Sequence, residues 1–136
     1  MRFYAVGNMY LSSIQQGIQA AHCVSEMFAN HGDNEYLWRW AKHHKTLICV
    51  NGGNNAKLEE FWEFLDKAGN KNPYPWITFR EDEESMAGML TCVGIIIPET
   101  LYSSKIDLTD PDTYAHITNP WELELITALK RMPLAR

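Results

Sequence analysis

Apolar residues along this chain alternate between short unbroken runs and stripes of helical period. Phe3 to Gly7 is an apolar run rich in strand formers, closed by the turn-like Asn8, and reads as a first strand. Ser12 and Ser13 stand three residues before Gln15 and Gln16, the spacing of a capping box. Ile14, Ile18, Ala21, Val24 and Phe28 then recur with helical period up to Asn30. A long first helix is predicted directly after strand one. His31, Gly32 and Asp33 break it, and Tyr36, Leu37, Trp40 and Ala41 mark a shorter second helix ending near His44.

Thr46 to Val50 is a second apolar run, closed by Asn51, Gly52, Gly53 and Asn54, and reads as a buried strand with a turn after it. Leu58, Phe61, Trp62 and Leu65 define one face of a third helix, with Gly69 where a left-handed cap belongs. Trp76 to Phe79 and Leu90 to Ile97 give strands three and four, the latter apolar enough to be central. Between them lies the acidic run Glu81, Asp82, Glu83, Glu84. After a polar, irregular stretch from Pro98 to Thr118, Asn119, Pro120 and Glu122 supply an N-cap, an N1 proline and an N3 acid. The helix they start carries Trp121, Leu125, Ile126 and Leu129 and stops before Pro133. The order β-α-α-β-α-β-β-α predicts an α/β fold, a mixed four-stranded sheet with helices on both faces, in one domain over residues 1–136.

Composition narrows the function. Five Trp, six Tyr and five Phe in 136 residues give more large rings than a core alone requires. The formal charge of −5 and the clustered acids are the opposite of the Lys/Arg stripe that grips a long nucleic acid, so no long nucleic acid partner is expected. No apolar run is long enough to span a bilayer and the N-terminus is too short for a signal peptide, so no membrane partner and a cytoplasmic location are expected. Cys23, Cys49 and Cys92 lie in apolar segments without CxxC spacing and read as three buried free thiols. His43 and His44 are adjacent, which points them apart, so no metal and no cofactor is expected.

The stretch Gly17, Ile18, Gln19, Ala20, Ala21, His22, Cys23 resembles the Gly-Lys-x-Ala-Ala-Gln-Cys helix of type-II peptidyl-tRNA hydrolases. The stretch Gly88 to Pro98, with Thr91, Val93 and Ile95, is similar to that family's closing strand. The resemblance covers residues 1–99 and leaves 100–136 as a C-terminal helical extension. The family's catalytic lysine has no counterpart, because Gln16 and Ile18 flank Gly17. Asn8 and Tyr10 stand where an arginine and an aspartate follow the family's first strand. The catalytic aspartate aligns near Phe79, and no hydroxyl follows Glu81 and Asp82 until Ser85. The resemblance therefore implies the scaffold without the hydrolysis.

On such a scaffold the pocket is expected where the loop after strand one meets the first helix, whose free N–H groups attract phosphate. Asn8, Tyr10, Ser12, Ser13, Gln16 and His22 are the candidate ligand-binding residues there. Trp76, Phe79 and Arg80 add rings to stack on a base and a guanidinium for phosphate. Alternatives stand beside each: a turn and N-cap for the first four, a core histidine for His22, an Arg80 paired to Glu81 or Glu83, and an anion nest or a plain turn at Asn51 to Asn54. The line from Phe3 to His22 also resembles small phage proteins that sequester the cyclic dinucleotide signals of bacterial CBASS immunity. It implies a non-catalytic sponge for a small cyclic nucleotide in the host cytoplasm. A peptidyl-tRNA hydrolase with displaced catalytic groups and a protein-interaction module are the other readings. The apolar final helix, with the resembled family's dimeric habit, suggests a homodimer or homotetramer.

Overall fold

Two strands far apart in sequence form the middle of the sheet. In the computed structural model, which describes residues 1–81 and 88–135, β1 (Arg2–Gly7) and β4 (Leu90–Ile97) pair antiparallel. Phe3 lies opposite Ile96 and Val6 opposite Val93. β2 (Leu47–Asn51) runs parallel to β1, and β3 (Trp76–Arg80) antiparallel to β4, giving the order β2-β1-β4-β3. The mixed four-stranded sheet expected from the pattern is therefore present. Of the acidic run, Asp82, Glu83 and Glu84 lie outside the described residues, as does Ser85.

Every residue of β4 is buried, so both its faces need cover. One face packs with α1 (Ser13–His31) and α2 (Glu35–Arg39), which runs on through a π-helical turn, Trp40–His44, to Lys45 in the left-handed conformation. The other face packs with α3 (Asn55–Asp66) and a C-terminal helix described below. Gly94 is needed within β4 because the ring of Phe3 lies against it. A Cβ there would meet that ring at 2.7 Å.

Three details depart from the sequence reading. β2 is an edge strand and Leu47 and Cys49 are only partly covered, because sheet position decides burial and an apolar run does not reveal it. α3 ends at Lys67 in right-handed geometry, and Gly69 takes its positive φ two residues later, at the start of a short 3-10 turn. On α1 the buried residues are Gln19, Ala20, Cys23 and Met27, whereas Ile14, Ile18 and Ala21 face solvent. Val24 and Phe28, the rest of the predicted stripe, are half-buried against the core, so the sequence pattern runs along the border of the buried face instead of its centre.

The extension closes on its own domain. After a single turn α4 (Glu99–Tyr102) and a 3-10 turn, α5 (Pro120–Arg131) starts at Asn119, whose Oδ1 accepts from Trp121 N at 3.0 Å. Its stripe of Trp121, Leu125, Ile126 and Leu129 is buried in the same cluster as Val93, Ile95 and Ile97. The expectation that this stripe builds an oligomer interface is corrected, because the sheet already covers it. The residues beyond α5 then bridge the outer edge of β2. Asn51 N donates to Pro133 O at 2.8 Å and Ala135 N to Cys49 O at 2.9 Å, which blunts that edge.

Leu125→Ala should accordingly lower unfolding free energy by about 2–5 kcal/mol, the usual cost of truncating a buried leucine. Urea denaturation checks this. Deleting residues 119–136 should remove cooperative unfolding altogether, an outcome that a purely intermolecular helix would not give.

Candidate functional site

β1, β2 and β3 run in the same direction, so their carboxyl ends meet the start of β4 at one end of the sheet. Asn8 leaves β1 there, fully buried. Its N–H donates to Thr91 O at 3.1 Å, its Oδ1 accepts from Tyr10 N at 3.0 Å, and its amide nitrogen donates to Asn55 Oδ1 and to Leu90 O. Asn8 thus ties the first loop to β4 and to the start of α3, and its hydrogen bonds are spent within the protein.

Ser12 is the N-cap of α1. Its Oγ accepts from Gln15 N at 3.2 Å and its N–H donates to Gln15 Oε1 at 2.9 Å, the reciprocal pair of a capping box. Gln16 Nε2 donates to Leu11 O at 3.2 Å, and Ser13 and Tyr10 are exposed. The loop and helix start thus place two of the predicted residues in solvent and use three, Asn8, Ser12 and Gln16, in local bonds. His22, read as an inward histidine, is exposed and stacks on Phe79 with ring centroids 4.4 Å apart and planes at 5°.

Alternation along β3 separates the other three candidates. Phe79 faces α1, while Trp76 and Arg80 face the α3 side, with Trp76 at the opposite end of the strand beside Ile95. They do not form the single stacking-and-phosphate group expected of them. Arg80 pairs with Glu59 of α3, through Nη1–Oε1 at 2.7 Å and Nη2–Oε2 at 3.0 Å, while Glu83, one of the partners expected for it, lies outside the described residues. The hydrogen bond from Arg80 holds the Glu59 carboxyl below its usual range.

One polar cluster at this end escapes the sequence reading. Gln19 is buried, donates from Nε2 to Glu81 Oε1 at 2.6 Å and accepts at Oε1 from Thr91 Oγ1 at 3.3 Å. Thr91 Oγ1 also lies 3.2 Å from Phe79 O. The sequence offers no signal for Gln19, since only the true inward stripe of α1 shows it to be a polar residue in the core. The thiols nearby are poor nucleophiles: a hydrogen bond with Cys23 and then burial push Cys92 well up, and burial alone pushes Cys49 up. Among the described residues no group of three or more His, Cys, Asp or Glu is placed to hold a metal ion, and no helix is long and apolar enough to cross a membrane.

A groove of about 650 Å³ lies on the other face of the sheet, between α3, α5 and the turn after β2. Phe61, Phe64, Ala128 and Met132 give it an apolar lining. Lys57 and Arg131 bring positive charge to it, Glu60 and Glu124 negative charge. Of the first loop only Met9 reaches it. The groove lies apart from the start of α1, where the sequence led us to expect a pocket, and one of its walls is α5. The turn Asn51 to Asn54 borders the groove but is no anion nest. Asn51 N donates to Pro133 O, Gly52 N to Gly7 O at 2.8 Å and Gly53 N to Asn51 Oδ1 at 2.8 Å, so those donors are occupied. Gly52 is required there, as a Cβ would lie 2.6 Å from Val6 Cγ1.

No model of a known family matches the sequence, and no curated protein does.

Asn8→Ala should cost about 1–3 kcal/mol, because the buried Asn8 side chain gives up its bonds to Asn55, Leu90 and Tyr10. Ser12→Ala should cost about 1 kcal/mol, the loss of one cap. Both are read from urea midpoints. The Arg80–Glu59 pair contributes stability above the unfolded carboxyl's pKa that is lost as pH falls through the lowered folded value. With both side chains about two-fifths exposed, Arg80→Gln should cost less than about 1 kcal/mol at neutral pH and nothing once Glu59 is protonated.

Proposed function

We propose that the groove between α3 and α5 binds a small phosphorylated ligand with aromatic bases, of the cyclic-dinucleotide class, and that the chain holds it without cleaving it. The observation that carries this reading is the pairing of a ring-lined groove of about 650 Å³ with two cations, Lys57 and Arg131. That volume suits one small ligand. Phe61 and Phe64 offer apolar ring surface to a base, and Lys57 and Arg131 offer phosphate partners. Glu60 and Glu124 accept from amino groups on a base edge, which adds selectivity among nucleotides.

Retention without turnover follows from what surrounds the groove. No histidine or cysteine lines it, and the lysines that the resembled hydrolases place around the first helix's glycine are replaced by Gln16 and Ile18. Thr91, beside Gln19, is buried, and its hydroxyl lies on the carbonyl oxygens of Gln19 and Phe79. A sponge that lowers the free concentration of a cyclic nucleotide signal needs only such retention. The resemblance of Phe3 to His22 to phage proteins of that kind supports this role.

A thermal-shift panel of cyclic di- and trinucleotides, with mononucleotides and tRNA as controls, tests the reading. A cyclic nucleotide should raise the melting temperature and tRNA should not. Lys57→Ala and Arg131→Ala should each weaken binding about 10- to 100-fold, the value of one charge-assisted hydrogen bond, without changing stability. Ser13→Ala, at the site expected from the sequence, should leave binding unchanged. Chromatography after incubation should return the nucleotide intact, and peptidyl-tRNA should not be hydrolysed. A cleaved product, or a shift insensitive to Lys57 and Arg131, would sink the proposal.

A further inference from the structure

The chain changes direction where α5 ends. Pro133 cannot continue a helix and holds Met132 out of helical geometry, at φ −79° and ψ 126°. Residues 133–135 then run antiparallel along the outer edge of β2, with Leu134 bridged to Val50. Among the described residues two main-chain bonds hold them there, Asn51 N to Pro133 O at 2.8 Å and Ala135 N to Cys49 O at 2.9 Å. Their side chains add little, since Pro133 is exposed and Leu134 is 67% exposed. β2 itself is held from its other side by β1 along its whole length, from Leu47 opposite Phe3 to Asn51 opposite Gly7. The same segment forms one end of the groove, which Pro133 lines together with Asn51, Gly52 and Gly53.

We propose that residues 133–135 are a strap that lifts off β2 as a unit while the rest of the fold stays intact, and that this motion regulates the groove. Segments with few buried apolar contacts and solvent-exposed hydrogen bonds are the ones that open locally, and this segment has both features. Lifting it breaks no bond between β2 and β1, and it leaves the buried stripe of α5, which ends at Leu129, in the core. Once lifted, it opens the end of the groove beside the turn after β2. A ligand that touches Pro133 binds the closed form better than the lifted one, so it holds the strap down. That last step rests on the groove reading above, whereas the lifting itself does not.

Two neighbouring amides decide between a strap and a fixed strand. Asn51 N–H bonds to the strap, whereas Gly52 N–H bonds to Gly7 O at 2.8 Å and Phe3 N–H to Thr46 O at 3.0 Å, both independent of it. Residue-resolved hydrogen exchange on the full chain, corrected for intrinsic rates, should find Asn51 and Ala135 exchanging at least about 100-fold faster than Gly52 and Phe3. Ala135→Pro removes the donor to Cys49 O. It should strip Asn51 of its remaining protection, leave Gly52 protected and keep one cooperative melt. Equal protection of Asn51 and Gly52 in the wild type, persistent protection of Asn51 in Ala135→Pro, or loss of the cooperative melt in that variant would each overturn the strap. With cyclic di-AMP or cyclic di-GMP bound, Asn51 exchange should slow about 10-fold. Binding that Lys57→Ala weakens but that leaves Asn51 exchange unchanged would defeat the regulatory part. If neither nucleotide binds, it is the groove reading that fails, and exchange in the free protein still decides the strap.

Discussion

A strand buried along its whole length on both faces must be covered twice, and β4 sets that demand for the whole molecule. α1 and α2 cover one side through Phe3, Cys92 and Ile96. The other side, carrying Val93, Ile95 and Ile97, is too broad for α3 alone, and α5 supplies Leu125, Ile126 and Leu129 to complete it. The extension is therefore part of the core. Its burial follows from the hydrophobic gain of covering aliphatic side chains, at roughly 1.5–3 kcal/mol for each one fully buried.

That solution creates the groove. Two helices on one sheet face leave a cleft between them, and here α3 contributes Phe61 and Phe64, while α5 contributes Glu124, Ala128 and Arg131. The turn after β2 and the chain after α5 close its ends through the bond between Asn51 and Pro133. The same contacts that protect the β2 edge thus shape the groove, so stability and groove geometry are coupled through a few residues near Pro133.

The opposite side of the sheet shows what happens when an apolar helix has more surface than one sheet can cover. α1 buries Ala20, Cys23 and Met27 and leaves Ile14 and Ile18 outside. Its buried polar residue, Gln19, is accommodated by Glu81 and Thr91 at the strand ends, which compensates its loss of water. Asn8 does the same for the loop through its bonds to Asn55, Leu90 and Tyr10.

Element type and order were legible in the sequence because period and capping are local properties. The Ser12–Gln15 box, the Asn119 cap and the apolar run Leu90 to Ile97 each announce their structure within a few residues. Which stripe of α1 turns inward, which strand is central or at an edge, and where α5 lands were decided only by tertiary packing. A helix with two apolar faces gives no local preference between them, and although strand alternation puts Phe79 and Arg80 on opposite faces, only packing decides that Phe79 meets α1 and Arg80 meets α3. The groove arises from Lys57 and Arg131, residues far apart in sequence, and exists only because β4 demanded a second helix to cover its face.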